Sequence, residues 1–100
     1  MGRRLALASL TTRAEHVQAF KALAHPGRLD VFFALVRAKG EMAVGDLKTD
    51  LGIPGPTLSH HLDQLRRAGI VQARRDQRFI YYSANKFMVT DLVRLLTVCC

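Results

Sequence analysis

The sequence predicts a mainly α fold with one small β-hairpin, a winged helix-turn-helix of about five helices plus the wing. Three observations predict it. The stretch from Leu47 to Tyr82, LKTDLGIPGPTLSHHLDQLRRAGIVQARRDQRFIYY, reads as a helix, a tight break, a second helix and a short basic hairpin. Apolar residues recur at helical spacing on both sides of that stretch. The chain has 100 residues, 49% of them hydrophobic, which makes residues 1–100 one folded domain. A domain of this size buries only about two thirds of its unfolded surface, so a core shared with a second copy is the expected remedy.

Thr11 or Thr12 is expected to cap a first helix running to about Ala24, with Val17, Phe20 and Ala24 on its apolar face. Pro26 suits the first position of a second helix, where its missing N–H costs nothing. There Leu29, Phe32, Phe33 and Val36 give i, i+3, i+4, i+7 spacing, and Gly40 is expected to end the helix. Met42 and Ala43 read as a short strand. Val44, Leu47 and Leu51 space a third helix that stops at Gly52, and Ile53-Pro54-Gly55-Pro56 forms the turn. A fourth helix starts near Pro56 and ends before Gly69, with Leu58, His61, Leu62 and Leu65 lining its inner face. Ile70 to Arg75 and Arg78 to Ser83 alternate as strands around Asp76-Gln77. Asn85 is expected to cap a last helix with two apolar stripes. One stripe is Met88, Leu92, Leu95 and Cys99; the other is Val89, Val93, Leu96 and Cys100. A helix apolar on two faces is buried on two sides, and in a small domain the second side is expected to be another subunit.

Net charge is +7, and the sequence pI is near 10.3. A polyanionic partner fits that charge better than an acidic one. The distribution sharpens the point, because Arg66 to Arg78 carries five arginines against one acid, Asp76. No apolar run approaches the ~20 residues of a membrane span. The twin arginine near the start precedes too short an apolar stretch for a secretory signal. A cytoplasmic, reducing location is the expectation, with no membrane partner. Enzyme chemistry is not expected: there is no nucleophile–base pair with a supporting residue, no phosphate loop and no suggestive carboxylate pair. His60 and His61 adjoin Ser59, but neighbours on a helix point in different directions.

A recognition helix reads base edges with its N-terminal residues. Thr57, Ser59, His60 and Gln64 are therefore the expected contacts to bases or phosphates, Gln being able to read adenine bidentately. Arg74, Arg75 and Arg78 flank the hairpin tip, within reach of a minor groove or phosphates. His61 sits among leucines and reads as a core histidine. Arg66 and Arg67 suit the helix C-terminus, where cations favour the dipole. His16 and His25 read as packing or surface residues, His25 as a helix cap before Pro26.

Over nearly its whole length the chain resembles the ArsR/SmtB family of bacterial metalloregulatory repressors. FKALAHPGRLDVFFAL is similar to the family's "ALA-x-P-x-R" opening and second helix, and EMAVGDLKTDLGI to its "E-L-x-V-x-D-L" entry into the third. PTLSHHLDQLRRAGIV is similar to its "S-x-H-L-x-x-L-x-x-A-G-L-V" recognition helix, and RRDQRFIYYS to its wing. The resemblance implies a homodimer, joined through its terminal helices, that binds double-stranded operator DNA and lets go when an inducer binds.

The departures matter as much. Founding arsenic repressors carry thiols at the third-helix entry, where this chain has Ala43, Gly45 and Lys48. The zinc sensors place Asp and His pairs on the last helix, where only Asp91 could serve, with no histidine expected near it. What remains is Cys99-Cys100, which resembles the vicinal pair of a subgroup of arsenic repressors, without their third Cys. Adjacent Cα atoms ~3.8 Å apart fall short of the ~4.4–6.8 Å that disulfides favour, so a disulfide between the two is not expected. Soft thiolates select soft ions. As(III) or Sb(III) is the expected inducer at Cys99 and Cys100, with no permanent cofactor. A third thiolate would come from a residue beyond Cys100, a small thiol or the other subunit. Two alternatives stay open: a redox or thiol-reactive sensor on the same fold, and a ligand-independent DNA-binding protein.

Overall fold

A computed structural model describes residues 13–98. The expected caps Thr11 and Thr12, and the pair Cys99-Cys100, lie outside the described residues. Among these residues, five helices and a three-stranded antiparallel sheet follow in the order α1 (Ala14–Leu23), α2 (Pro26–Ala38), β1 (Met42–Ala43), α3 (Val44–Leu51), α4 (Gly55–Arg67), β2 (Val71–Asp76), β3 (Phe79–Ala84) and α5 (Lys86–Thr97). The sheet order is β1-β3-β2. This is the winged helix-turn-helix that the sequence predicts.

Local chemistry explains several of the starts and stops. At α1 the His16 Nδ1 accepts the Arg13 backbone N–H at 3.0 Å, satisfying an end group the helix itself cannot. His25 does cap α2: its Nδ1 accepts the Gly27 N–H at 3.1 Å, with Pro26 just inside the helix. Gly40 does not end α2; Lys39 takes the left-handed turn one residue earlier, at φ 57°. Gly52 supplies the left-handed stop of α3 at φ 63°, a conformation that costs glycine nothing. The hairpin turn is Gln77-Arg78, one residue later than expected, because Asp76 pairs with Phe79 in register. Asn85 caps α5, its Oδ1 accepting from Phe87 N at 3.2 Å and Met88 N at 3.4 Å.

The largest fully buried side chains are Val31 and Leu35 of α2, Leu47 of α3, Leu58, Leu62 and Leu65 of α4, and Ile70. They form one core in which every helix-turn-helix element takes part. Two faces differ from the sequence expectation. On α1 the buried residues are His16, Ala19 and Ala22, while Val17 and Phe20 are 41% and 38% exposed. On α2, Phe32 is buried but Phe33 and Val36 face out. The α5 stripes divide only in part: Leu92 is buried with Met88 and Leu95 half-buried, and Val89 of the second stripe also packs on the core, while Val93 and Leu96 are 52% and 63% exposed. The outward apolar residues of α1, α2 and α5 are large side chains that stay partly exposed.

Candidate nucleic-acid interface

The geometry of α4 separates its two sides. Leu58, His61, Leu62 and Leu65 are buried, as their spacing predicts. Thr57, Ser59 and His60 are exposed, and Gln64 is half-buried one turn on. The leucine side fixes the helix against the core, so its polar side is held outward on a rigid element. Pro54 precedes α4 and no side chain caps it. The Lys48 ammonium stands beside this start, 3.8 Å from where a Cβ on Gly55 would lie. An uncapped helix start with a cation next to it favours phosphate. Lys48 was not among the sequence-predicted contacts; its signal was a lysine in the last turn of the helix before the turn.

The arginines fall into three groups. Arg66 and Arg67 both bind Asp63, each at 2.9 Å, so that acid offsets part of the positive charge at the exit of α4. Arg75 and Arg78 are exposed on the hairpin, Arg75 reaching the Gln77 carbonyl at 3.4 Å. Arg74 is engaged differently. Its Nε and a terminal nitrogen donate to the two Glu41 carboxylate oxygens at 2.7 and 2.9 Å. Its guanidinium also lies 4.9 Å from the Tyr81 ring centre. The hydrogen bond from Arg74 holds the Glu41 carboxyl below its ordinary range and raises Arg74 in turn.

His61 is a core histidine, 6% exposed, with its ring centre 4.9 Å from that of His25. Burial, then the charges of His25, Arg28 and His60, push its pKa down. A Cβ at Gly27 would lie 2.7 Å from its Nε2, so the glycine lets α2 pass close to α4. In space a histidine does stand near Asp91: the buried His16 Nε2 lies 3.8 Å from its Oδ2. Among the described residues no group of three or more His, Cys, Asp or Glu could hold a metal ion. None of the described helices is long and apolar enough to cross a membrane.

A helix-turn-helix domain model matches residues 23–72. The chain is 42% identical over 81 residues to a biofilm growth-associated repressor of Xylella fastidiosa, covering 80% of this chain and 69% of that protein. The structure of NolR from Sinorhizobium fredii is 40% identical and superposes with a TM-score of 0.66, over 84% of this chain and 83% of that one. An ArsR-like transcriptional regulator from Rhodococcus sp. RHA1 is 26% identical, with a TM-score of 0.74 over 83% and 76%. Both the fold and these relatives are those of transcriptional regulators rather than enzymes. With a leucine-anchored helix turned outward beside an arginine-bearing wing, and with these relatives, the chain belongs to the ArsR family of winged helix-turn-helix transcriptional regulators.

Proposed function

We propose that the chain is a cytoplasmic, homodimeric repressor whose DNA complex is broken by As(III) or Sb(III) at Cys99 and Cys100. The observation that carries the DNA reading is the outward side of α4, where Thr57, Ser59 and His60 are exposed on a helix locked by four buried residues. Thr57, Ser59, His60 and Gln64 read the major groove, and Arg75 and Arg78 reach phosphates or the minor groove. A two-fold dimer matches two half-sites about one helical turn, ~34–36 Å, apart. The exposed Val93 and Leu96 on α5, with Val17 and Phe20 on α1, support the dimer through the terminal helices.

Cys99 and Cys100 follow α5 directly in sequence, one residue past its C-cap Val98. That adjacency supports the thiol switch. A metalloid bound there alters how α5 packs on its partner and on α1, and so the spacing of the two recognition helices. An inducer weakens DNA binding by its differential affinity for the two dimer forms, typically ~1–3 kcal/mol.

The test is fluorescence anisotropy of the reduced chain on a labelled duplex from upstream of its own gene, with excess competitor DNA, then arsenite, then zinc as control. The expected result is binding that survives competitor, is lost with arsenite alone, and survives arsenite after Cys99→Ser plus Cys100→Ser. Release from the double variant would put the inducer elsewhere. Release by oxidant but not arsenite would make the pair a redox sensor, and loss to competitor would leave only charge-driven binding.

A further inference from the structure

Glu41 and Arg74 lie 33 residues apart in sequence, yet they meet in a two-pronged ion pair. The sheet explains how. Ala43 pairs with Tyr81, and Tyr81 with Arg74, so one row crosses β1, β3 and β2. Directly paired residues share a face, and faces alternate along a strand. Val71, Tyr82 and Ala84 pack on the core. Arg74 and Tyr81, out of phase with them, therefore lie on the opposite face, away from the core that holds α4. Glu41 precedes β1 and reaches the same face.

Arg74 is thus held from three directions: by both Glu41 oxygens, by the Tyr81 ring, and by Asp76 at 3.9 Å. A planar guanidinium that meets a carboxylate with two donors is fixed in orientation as well as in place. Among the described residues, Arg75 and Arg78 form no ion pair with an acid; the acids of the wing, Glu41 and Asp76, both pair with Arg74.

We propose that Glu41 and Arg74 form a clamp that fixes the wing against β1, which makes Arg74 a positioning residue while Arg75 and Arg78 make the wing's DNA contacts. The cation nearest the body of the sheet sets the hairpin's angle, and the two nearer its tip meet the polyanion. The DNA half of this proposal rests on the repressor reading; the clamp half does not.

Hydrogen exchange on the reduced full chain tests the clamp without DNA. Glu41→Gln and Arg74→Gln should each speed exchange of the β2–β3 amides by about two- to five-fold. The double variant should go no further than Arg74→Gln alone. The charge swap Glu41→Arg with Arg74→Glu should recover much of the protection. Unchanged exchange in both single variants would overturn the clamp.

Salt titration on the duplex from upstream of the gene tests the assignment. Arg75→Gln and Arg78→Gln should each lower the slope of log affinity against log salt by about one unit, the share of a single phosphate. Arg74→Gln should weaken binding and leave the slope as it was. A lower slope in Arg74→Gln, joined by tighter binding in Glu41→Gln, would show Arg74 on a phosphate with Glu41 as its competitor. Failure of the wild-type chain to bind would strike the repressor reading and leave the exchange result standing.

Discussion

Asn85 donates its side-chain Nδ2 to the Gly69 carbonyl at 2.9 Å. The same side chain caps α5 through Oδ1, and its backbone N–H donates to the Ile70 carbonyl at 2.9 Å. One residue therefore joins the exit of the recognition helix to the entry of the last helix. Asn85→Ala should cost about 1–2 kcal/mol of stability, from a lost cap and a carbonyl left without its donor. Asn85→Ser keeps a capping oxygen and drops the donor without setting a carboxylate against the Gly69 carbonyl, so it should cost less. Urea unfolding at pH 7 measures both; equal losses would show that the cap contributes nothing.

Gly27 sits where α2 passes His61. Gly27→Ala would put a methyl 2.7 Å from the His61 Nε2, and that ring is buried against His25 with little room to retreat. Overpacking of this kind costs about 1–3 kcal/mol. A lower thermal midpoint with a shifted His61 ring signal is the expected outcome. An unchanged midpoint would show that the two helices separate freely here.

His61 also sets an acid dependence. Its folded pKa lies below the ordinary value of 6.5, mainly through burial. The unfolded chain then takes up the proton first, so this contribution to stability is complete above the ordinary value and declines as pH falls below it. The wild-type urea midpoint should drop more between pH 7.5 and 5.5 than that of His61→Gln. Parallel drops would assign the acid sensitivity to other groups.

The outward residue Val93 of α5 gives a test of self-association. It is 52% exposed, so Val93→Glu should leave the helical circular dichroism of the chain intact. In a two-fold dimer the change enters twice. With about half of the side chain left to bury, losing roughly 0.8 kcal/mol of apolar burial at each copy raises the dissociation constant about tenfold, and the cost of desolvating the Glu charge adds to that. Sedimentation equilibrium should show a wild-type dimer and a largely monomeric variant at micromolar concentration. A dimer unaffected by the charge would place the interface on another surface.

The helix-turn-helix was legible because its boundaries are written in backbone chemistry. Gly52 stops α3 with a left-handed turn, Pro56 fits the first turn of α4, and the leucines of α4 repeat without competition. The hairpin register slipped by one because the turn is Gln77-Arg78, with Gln77 at φ 57° and no glycine to mark it. The inner side of α1 was hidden for another reason. Periodicity shows that Val17 and Phe20 share a stripe but not which way it faces, and it is His16, Ala19 and Ala22 that pack closest to the core. The Glu41–Arg74 pair was out of reach, since it depends on strand pairing across the sheet rather than on any local spacing.

The approach of His16 to Asp91 has a consequence that lies in a single hydrogen atom. A ring nitrogen that accepts the Arg13 N–H carries no proton, so the neutral imidazole must hold its proton on Nε2, the edge turned to the Asp91 carboxylate. At 3.8 Å this is attraction at a distance rather than a hydrogen bond. The start of α1 and its hold on α5 are therefore opposite edges of one tautomer. Turning the ring over would disturb both, taking the acceptor from the Arg13 N–H and the N–H from the side that faces Asp91.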